Sequence, residues 1–392
     1  MMTAKNQILL FVFAMLYIAS KIICPEGILL PVYSDSMAAD SGGEEYYLEQ
    51  RNPDWELMKR RIKVKGIYMT GNTTGNAARF NKLIDMVNTT EINAVVIDVK
   101  DDEGMMTYAS DLPDVEFTGA NGRVRIKDID AVMKILREND IYAIARIVTF
   151  KDRRAGDKYA HLSIKNKSGG IWRDRNGMSW LNPYNKDSWD YIVDIAEEAA
   201  MKGFNEIQFD YVRFPTDGNI KIIDYGSSAE GKSKPEAIAE FLSYGRERLS
   251  KKGIVVSADV FGLVTTSADD MHIGQHLESI AGSVDVICPM VYPSHYGPGS
   301  YGVAEPDFEP YKIVNRSMTV AQGRINAMKD TGSKAILRPW LQDFTASYLK
   351  RYKRYGPAEV RAQIDATYNS GAEEWLLWNA GNVYTSGALE KE

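Results

Sequence analysis

The chain has little cysteine and little histidine, 2 and 4 residues in 392. Two cysteines exclude a disulfide-stapled scaffold and a cysteine-based zinc cluster. Low-complexity tracts and internal repeats are missing, and 44% of the residues are hydrophobic. A packed globular chain is therefore expected rather than a disordered or solenoid one. Basic residues are not in excess. The net charge of −6 excludes a broad nucleic-acid-binding surface. No glycine-rich phosphate loop follows the first strand-like run, since Gly71-Asn72-Thr73-Thr74-Gly75 fits neither the dinucleotide nor the P-loop pattern.

A long uninterrupted apolar run is also lacking. Lys5 precedes an apolar stretch from Ile8 to Ala19, which Lys21 separates from Ile22, Ile23 and Cys24. A basic flank before a short apolar run reads as a signal peptide or signal-anchor over residues 1–24. The alternative is a buried N-terminal helix. Residues 25–61 read as a linker or stalk, and residues 62–392 as one domain. The expected location is secreted or at the cell surface, with membrane anchoring through the apolar segment.

What is present is a rhythm. Eight β-rich runs, at residues 64–71, 93–102, 141–150, 205–214, 253–262, 284–293, 334–343 and 373–382, alternate with seven helical patterns. Strand–helix alternation implies a parallel sheet, and eight units imply a closed (β/α)8 TIM barrel. An open doubly wound sheet is the alternative. Two long insertions, residues 149–185 and 215–235, follow strands three and four. Both leave the C-terminal ends of strands, the face on which barrels carry their sites.

Strands buried on both faces are expected to be continuously apolar, so polar exceptions are informative. Asp98, Asp210 and Asp259 each end an apolar run, on strands two, four and five. A lone strand-end aspartate is usually a cap or turn residue; three at matching heights weaken that explanation. Alternation along strand four places Glu206, Gln208 and Asp210 on one face, toward the barrel interior. The same spacing puts Asp98 and Lys100 together. Arg146, Tyr292, Trp340, Gln342, Trp378 and Asn379 lie in or at the ends of other strands, and Trp172 and Trp180 lie in the first insertion. Aromatic faces with carboxylates and amides between them suit a sugar. Glycosidic cleavage needs two carboxyl groups.

The segment from Gly203 to Pro215, GFNEIQFDYVRFP, resembles the signature of the DUF4015 family of bacterial glycoside-hydrolase-like domains. The runs VKGIY (64–68), AVVIDVKD (94–101), GIW (170–172) and WLNPY (180–184) are similar to it as well. The resemblance covers nearly all of residues 62–390. It implies a TIM-barrel glycosidase-like domain, often on an exported or membrane-attached protein. By similarity to barrel glycosidases, Asp210 is a catalytic carboxylate. Such enzymes usually place a glutamate as partner; here strand five ends in Asp259, the first choice, with Asp98 the second. Lys100, Arg146, Gln208, Tyr211, Arg213, Trp172, Tyr292, Trp340, Gln342, Trp378 and Asn379 are assigned to substrate binding, with a carbohydrate polymer as partner and no cofactor or metal. A non-catalytic carbohydrate-binding barrel and a metal-dependent hydrolase are the competing readings. For the latter, His272 and His276 are spaced to share one helix face.

Overall fold

The computed structural model describes residues 62–329 and 334–391. The leader and linker expected over residues 1–61 lie outside the described residues. Eight barrel strands follow one another around a ring. They are β1 (Lys65–Met69), β2 (Ala94–Lys100), β3 (Tyr142–Val148), β4 (Glu206–Asp210), β5 (Val255–Phe261), β6 (Val286–Met290), β7 (in two pieces, Ile336–Leu337 and Trp340–Gln342) and β8 (Trp375–Trp378). Every neighbouring pair is parallel, and β8 returns to β1 with Trp375 opposite Lys65. The ring is closed, which eliminates the open doubly wound sheet. The break in β7 falls at Arg338-Pro339, where proline has no N–H to donate to a ladder. The second piece still reaches β6, with Trp340 opposite Met290.

Helices α1 (Ala77–Val87), α2 (Ile129–Glu138), α3 (Asp187–Met201), α4 (Lys234–Ser250), α5 (Leu277–Ala281), α6 (Pro310–Ala327) and α7 (Pro357–Asn369) connect the strands. Their starts are chemically marked. Asn76, Asp128 and Ser233 each accept a backbone N–H from the first turn, and Ser233 forms a reciprocal capping box with Glu236. Gly203 and Gly253 turn the chain from helix to strand with φ of 105° and 70°, a region where a side chain is strained. The fifth helix is shorter than its sequence pattern. Met271, His272 and Gly274 all take positive φ, so the chain is not helical until Leu277. His272 and His276 therefore precede the helix and do not share a helix face.

Alternation sorts the strand residues into two layers. Val95, Ile97, Ala143, Ala145, Ile207, Phe209, Val256 and Ala258 face the helices. Ala94, Val96, Ile144, Val255, Val286 and Cys288 fill the barrel interior. Each fully buried large aliphatic or aromatic side chain contributes about 1.5–3 kcal/mol. Lower in the interior, β4 supplies Glu206, which accepts hydrogen bonds from Ser257 Oγ at 2.5 Å and Arg338 Nη1 at 2.7 Å. Arg338 Nε reaches Glu374 at 2.6 Å. Replacing Arg338 with Met leaves two buried carboxylates without their cation. The expected result is a loss of about 3–5 kcal/mol in chemical denaturation; a loss below about 1 kcal/mol would show that the network is dispensable.

One irregularity moves a predicted site residue. Along β2 and β3, Asp98 faces Arg146, but Lys100 faces Ile147, so β2 bulges between Asp98 and Lys100. The bulge reverses the expected side for Lys100. Its ammonium leaves the interior, pairs with Asp152 at 2.7 Å and lies 5.6 Å from the Tyr191 ring of α3. The two insertions pack on each other. An antiparallel ribbon joins Lys165–Asn166 to Ile223–Asp224. Trp172, 1% exposed, donates from Nε1 to Asn219 O across that junction. Among the described residues no helix is long and apolar enough to cross a membrane.

Candidate active site

At the C-terminal mouth of the barrel, Arg146 of β3 joins two carboxylates from neighbouring strands. Its Nη1 donates to Asp98 Oδ1 at 2.6 Å; its Nη2 and Nε donate to Asp210 Oδ2 at 2.6 and 3.0 Å. All three residues are buried. Tyr68 at the end of β1 donates its hydroxyl to Asp98 Oδ2 at 2.5 Å. The Tyr211 backbone N–H closes on Asp210 Oδ1 at 2.6 Å. Tyr211 itself has φ of 49°, a conformation uncommon for a bulky residue and concentrated where a site imposes it.

Asp259 ends its interior row on the next strand round, β5. Trp340 Nε1 donates to its Oδ1 at 2.7 Å, and Oδ2 has no hydrogen-bond partner among the described residues. Asp259 is 2% exposed. Burial, then the neighbouring Asp210 charge, push its carboxyl well above the usual range, against a smaller opposing pull from Arg146. Burial also raises Asp98, opposed by Arg146 and by the Tyr68 hydrogen bond. Tyr292, from the loop after β6, has its phenol held protonated by burial and by the charges of Asp259 and Asp210.

Aromatic rings wall this group of acids. Tyr68 stacks on Trp378 at 4.1 Å, and Trp340 meets Trp378 edge-on at 5.5 Å. The Arg146 guanidinium lies 5.8 Å from the Tyr68 ring and 5.7 Å from that of Trp378. On the other side, Arg213 sits among Tyr211, Trp180 and Phe261.

A family model described as a putative glycosyl hydrolase domain, DUF4015, matches residues 66–384. The chain belongs to the DUF4015 family. A hypothetical protein from Ruminiclostridium thermocellum is 46% identical over 50% of this chain and 97% of its own, with a TM-score of 0.46. The PgaB (BpsB) glycoside hydrolase domain from Bordetella bronchiseptica aligns over 81% of this chain and 94% of its own at 15% identity and a TM-score of 0.58. The α-galactosidase TtGalA from Thermus thermophilus aligns over 86% of this chain and 62% of its own at 12% identity and a TM-score of 0.50. At those identities the last two are similar in fold. A search of curated proteins found no match.

In this DUF4015 domain the mouth unites Asp98, Arg146, Asp210, Asp259, Tyr211, Arg213, Tyr292, Trp340 and Trp378. Five other residues expected to bind substrate lie elsewhere or are already committed. Lys100 is turned outward by the bulge, so the cation beside Asp98 is Arg146. Trp172 is enclosed between the insertions. Gln342 is fully buried and spans Ser294 N, Asp307 and Phe344 O. Asn379 holds a turn through Asp343 O, Val383 O and Gly381 N. Gln208 lies one interior layer below Asp210, donating to Cys288 Sγ at 3.3 Å. Tyr68 was not expected at the site. Its only sequence signal is a position near the end of a strand with an aromatic ring where an interior aliphatic is usual.

Proposed function

We propose that this domain hydrolyses a glycosidic bond in a polysaccharide, with Asp259 as the general acid and Asp210 as the carboxylate that meets the positive charge developing on the sugar ring. The observation that carries this assignment is the contrast between two neighbouring carboxyls. Asp259 is buried against the Asp210 charge, so it keeps a proton to donate, and its Oδ2 is free to face a leaving oxygen. Asp210 is held by two N–H groups of Arg146 and by a backbone N–H, an arrangement that orients an acceptor-only carboxylate. A buried acid beside a carboxylate oriented by donors supplies the two groups that acid and base roles need. Asp98 becomes a positioning residue: it anchors the other end of Arg146 and takes the Tyr68 hydroxyl. Trp378, half-buried where Trp340 and Tyr68 are buried behind it, offers its ring to sugar C–H groups. The basic-flanked apolar run from Ile8 to Ala19 supports action outside the cytoplasm, which fractionation of cells expressing the tagged chain tests.

The deciding experiment is reducing-end release by the full chain from a panel of bacterial and plant polysaccharides, with Asp259→Asn as its control. Wild type is expected to release reducing ends, and Asp259→Asn to bind the same polymer without turnover. Binding without turnover by wild type across the panel would convert the assignment to a carbohydrate-binding barrel. In a further check, Trp378→Ala is expected to weaken polysaccharide binding about tenfold, the scale of one lost aromatic contact, read by fluorescence titration. Unchanged affinity would remove Trp378 from the sugar platform.

A further inference from the structure

Three arginines are buried in this domain, Arg146, Arg213 and Arg338. Two of them carry a pair of carboxylates each: Asp98 and Asp210 on Arg146, Glu206 and Glu374 on Arg338. Arg213 makes no ion pair within 4.0 Å among the described residues; Asp210, Asp217 and Asp174 act on it only from longer range. It is 8% exposed, and its hydrogen bond from Nη1 goes to Phe214 O at 2.9 Å. Its guanidinium is flanked by rings instead, 5.1 Å from Trp180 and Tyr211 and 4.9 Å from Phe261. A buried cation without a close ion pair is costly. Stacking recovers part of that cost, and burial still pulls the guanidinium below its usual range. Three residues after Asp210 and packed on the end of β5, this cation stands at the mouth. Lys151, leaving β3, lies 4.7 Å from the Tyr211 ring, and its nearest carboxylate, Asp102, is 4.0 Å away and itself exposed. Tyr211 thus has a cation against it from each of two loops.

A second, independent cluster sits on the loop after β7. Residues 344–356, FTASYLKRYKRYG, contain four cations and no acid, in a chain of net charge −6. Phe344 packs edge-on to Tyr292 at 5.9 Å, and the Tyr348 hydroxyl lies 3.2 Å from Ser294 Oγ, which ties this loop to the mouth. Tyr348 and Tyr352 are 66% and 45% exposed. Arg351 pairs with Glu305 and Lys353 with Glu359. Lys350 and Arg354 are exposed and have no carboxylate partner among the described residues.

We infer that the polymer taken by this site is an anionic glycan bearing carboxylates, with one sugar carboxylate received at Arg213 and Lys151 and neighbouring residues of the chain lying along Tyr348, Lys350, Tyr352 and Arg354. This rests on the glycosidase assignment for the location of the cleft, and adds the charge class of the substrate. Charge-assisted pairing selects an acidic sugar over its neutral analogue, and exposed tyrosines among cations suit a chain with both apolar faces and negative charge. In a chain of net charge −6 these two clusters concentrate positive charge beside the mouth.

The test is binding of the full chain to polygalacturonate, alginate and hyaluronan, each against its carboxyl-reduced, neutral counterpart. At about 50 mM salt the carboxylated form of at least one polymer is expected to bind about tenfold or more tighter, with the preference shrinking as salt rises. Arg213→Gln, checked for native circular dichroism, is expected to lose that preference. The double surface variant Lys350→Ser/Arg354→Ser, whose changes are exposed and spare the fold, is expected to weaken carboxylated binding about fivefold and leave neutral binding unchanged. Equal or better binding of the reduced polymers overturns the inference. So do equal losses on both forms, no binding to any acidic polymer, or retention only by phosphatidylglycerol vesicles or single-stranded RNA. The outcomes separate from those of the parent assignment. Carboxylate-selective binding with no cleavage defeats the hydrolase and leaves the charge class; cleavage of neutral polymers alone does the reverse.

Discussion

Asp210→Asn is expected to lower kcat on a cleaved polysaccharide by about 10²–10⁴-fold while leaving affinity for the polymer within a few-fold. The substitution is nearly isosteric. The one carbonyl oxygen of Asn can keep the Arg146 donors that Oδ2 receives, while its NH2 stands in place of Oδ1 and gives up the Tyr211 N–H contact. The substitution removes the negative charge, and that charge is what stabilises an oxocarbenium-like transition state beside it. Arg146 keeps Asp98 as its ionic partner, so the variant retains the bridge across the mouth. Steady-state rates with a parallel binding titration make the measurement. A variant with wild-type kcat would remove Asp210 from the chemistry; a variant that loses binding and rate together would make it a substrate-orienting residue.

Asp259→Asn is expected to lose about 10²–10⁴-fold in kcat on natural linkages, with a smaller loss on an aryl glycoside whose leaving group needs no proton. It is also expected to be more thermostable than wild type at neutral pH. The sign follows from linkage. The folded-state pKa of Asp259 is raised, first by burial and then by Asp210, so folding favours its protonated form. That contribution is fully present below the unfolded pKa of an aspartate, about 3.9, and is lost as pH rises through the raised folded value. Asn has no such loss and still accepts from Trp340 Nε1. The difference in melting temperature between variant and wild type should therefore be small in acid and widen toward neutrality. In the pH–rate profile the wild-type alkaline limb, which reports loss of the donated proton, should vanish in the variant. A variant less stable than wild type at pH 7, or an unchanged alkaline limb, would assign the proton to another group.

How much of this was legible in the chain depends on the range of the interaction. Strand two, Ala94-Val95-Val96-Ile97, and the alternation of Glu206, Gln208 and Asp210 are local patterns, and each forms as its period requires. Lys100 breaks the same rule, because the bulge that turns it away answers to pairing with β3 and to Asp152 some fifty residues later. Trp172 looks like a sugar platform by composition, yet two insertions separated by a strand and a helix close over it. Gln342 and Asn379 stand at strand ends with amides to offer, but neighbouring loops and their own turns take up those amides. Tyr68 leaves only the faint mark of an aromatic ring near a strand end, and the double grip of Arg146 leaves none, since both depend on which strands become neighbours.

The sequence by itself therefore determined the eight strand–helix units, their polar mouth, the inward row on β4 and the family. The tertiary structure alone decided which carboxylates share a cation, which one is buried beside a like charge, and which buried arginine is left without a close ion pair. Periodicity is encoded within a few residues, where side-chain alternation and capping act. Charge pairing and desolvation arise only when ring closure brings distant strand ends within hydrogen-bond reach and removes the water between them.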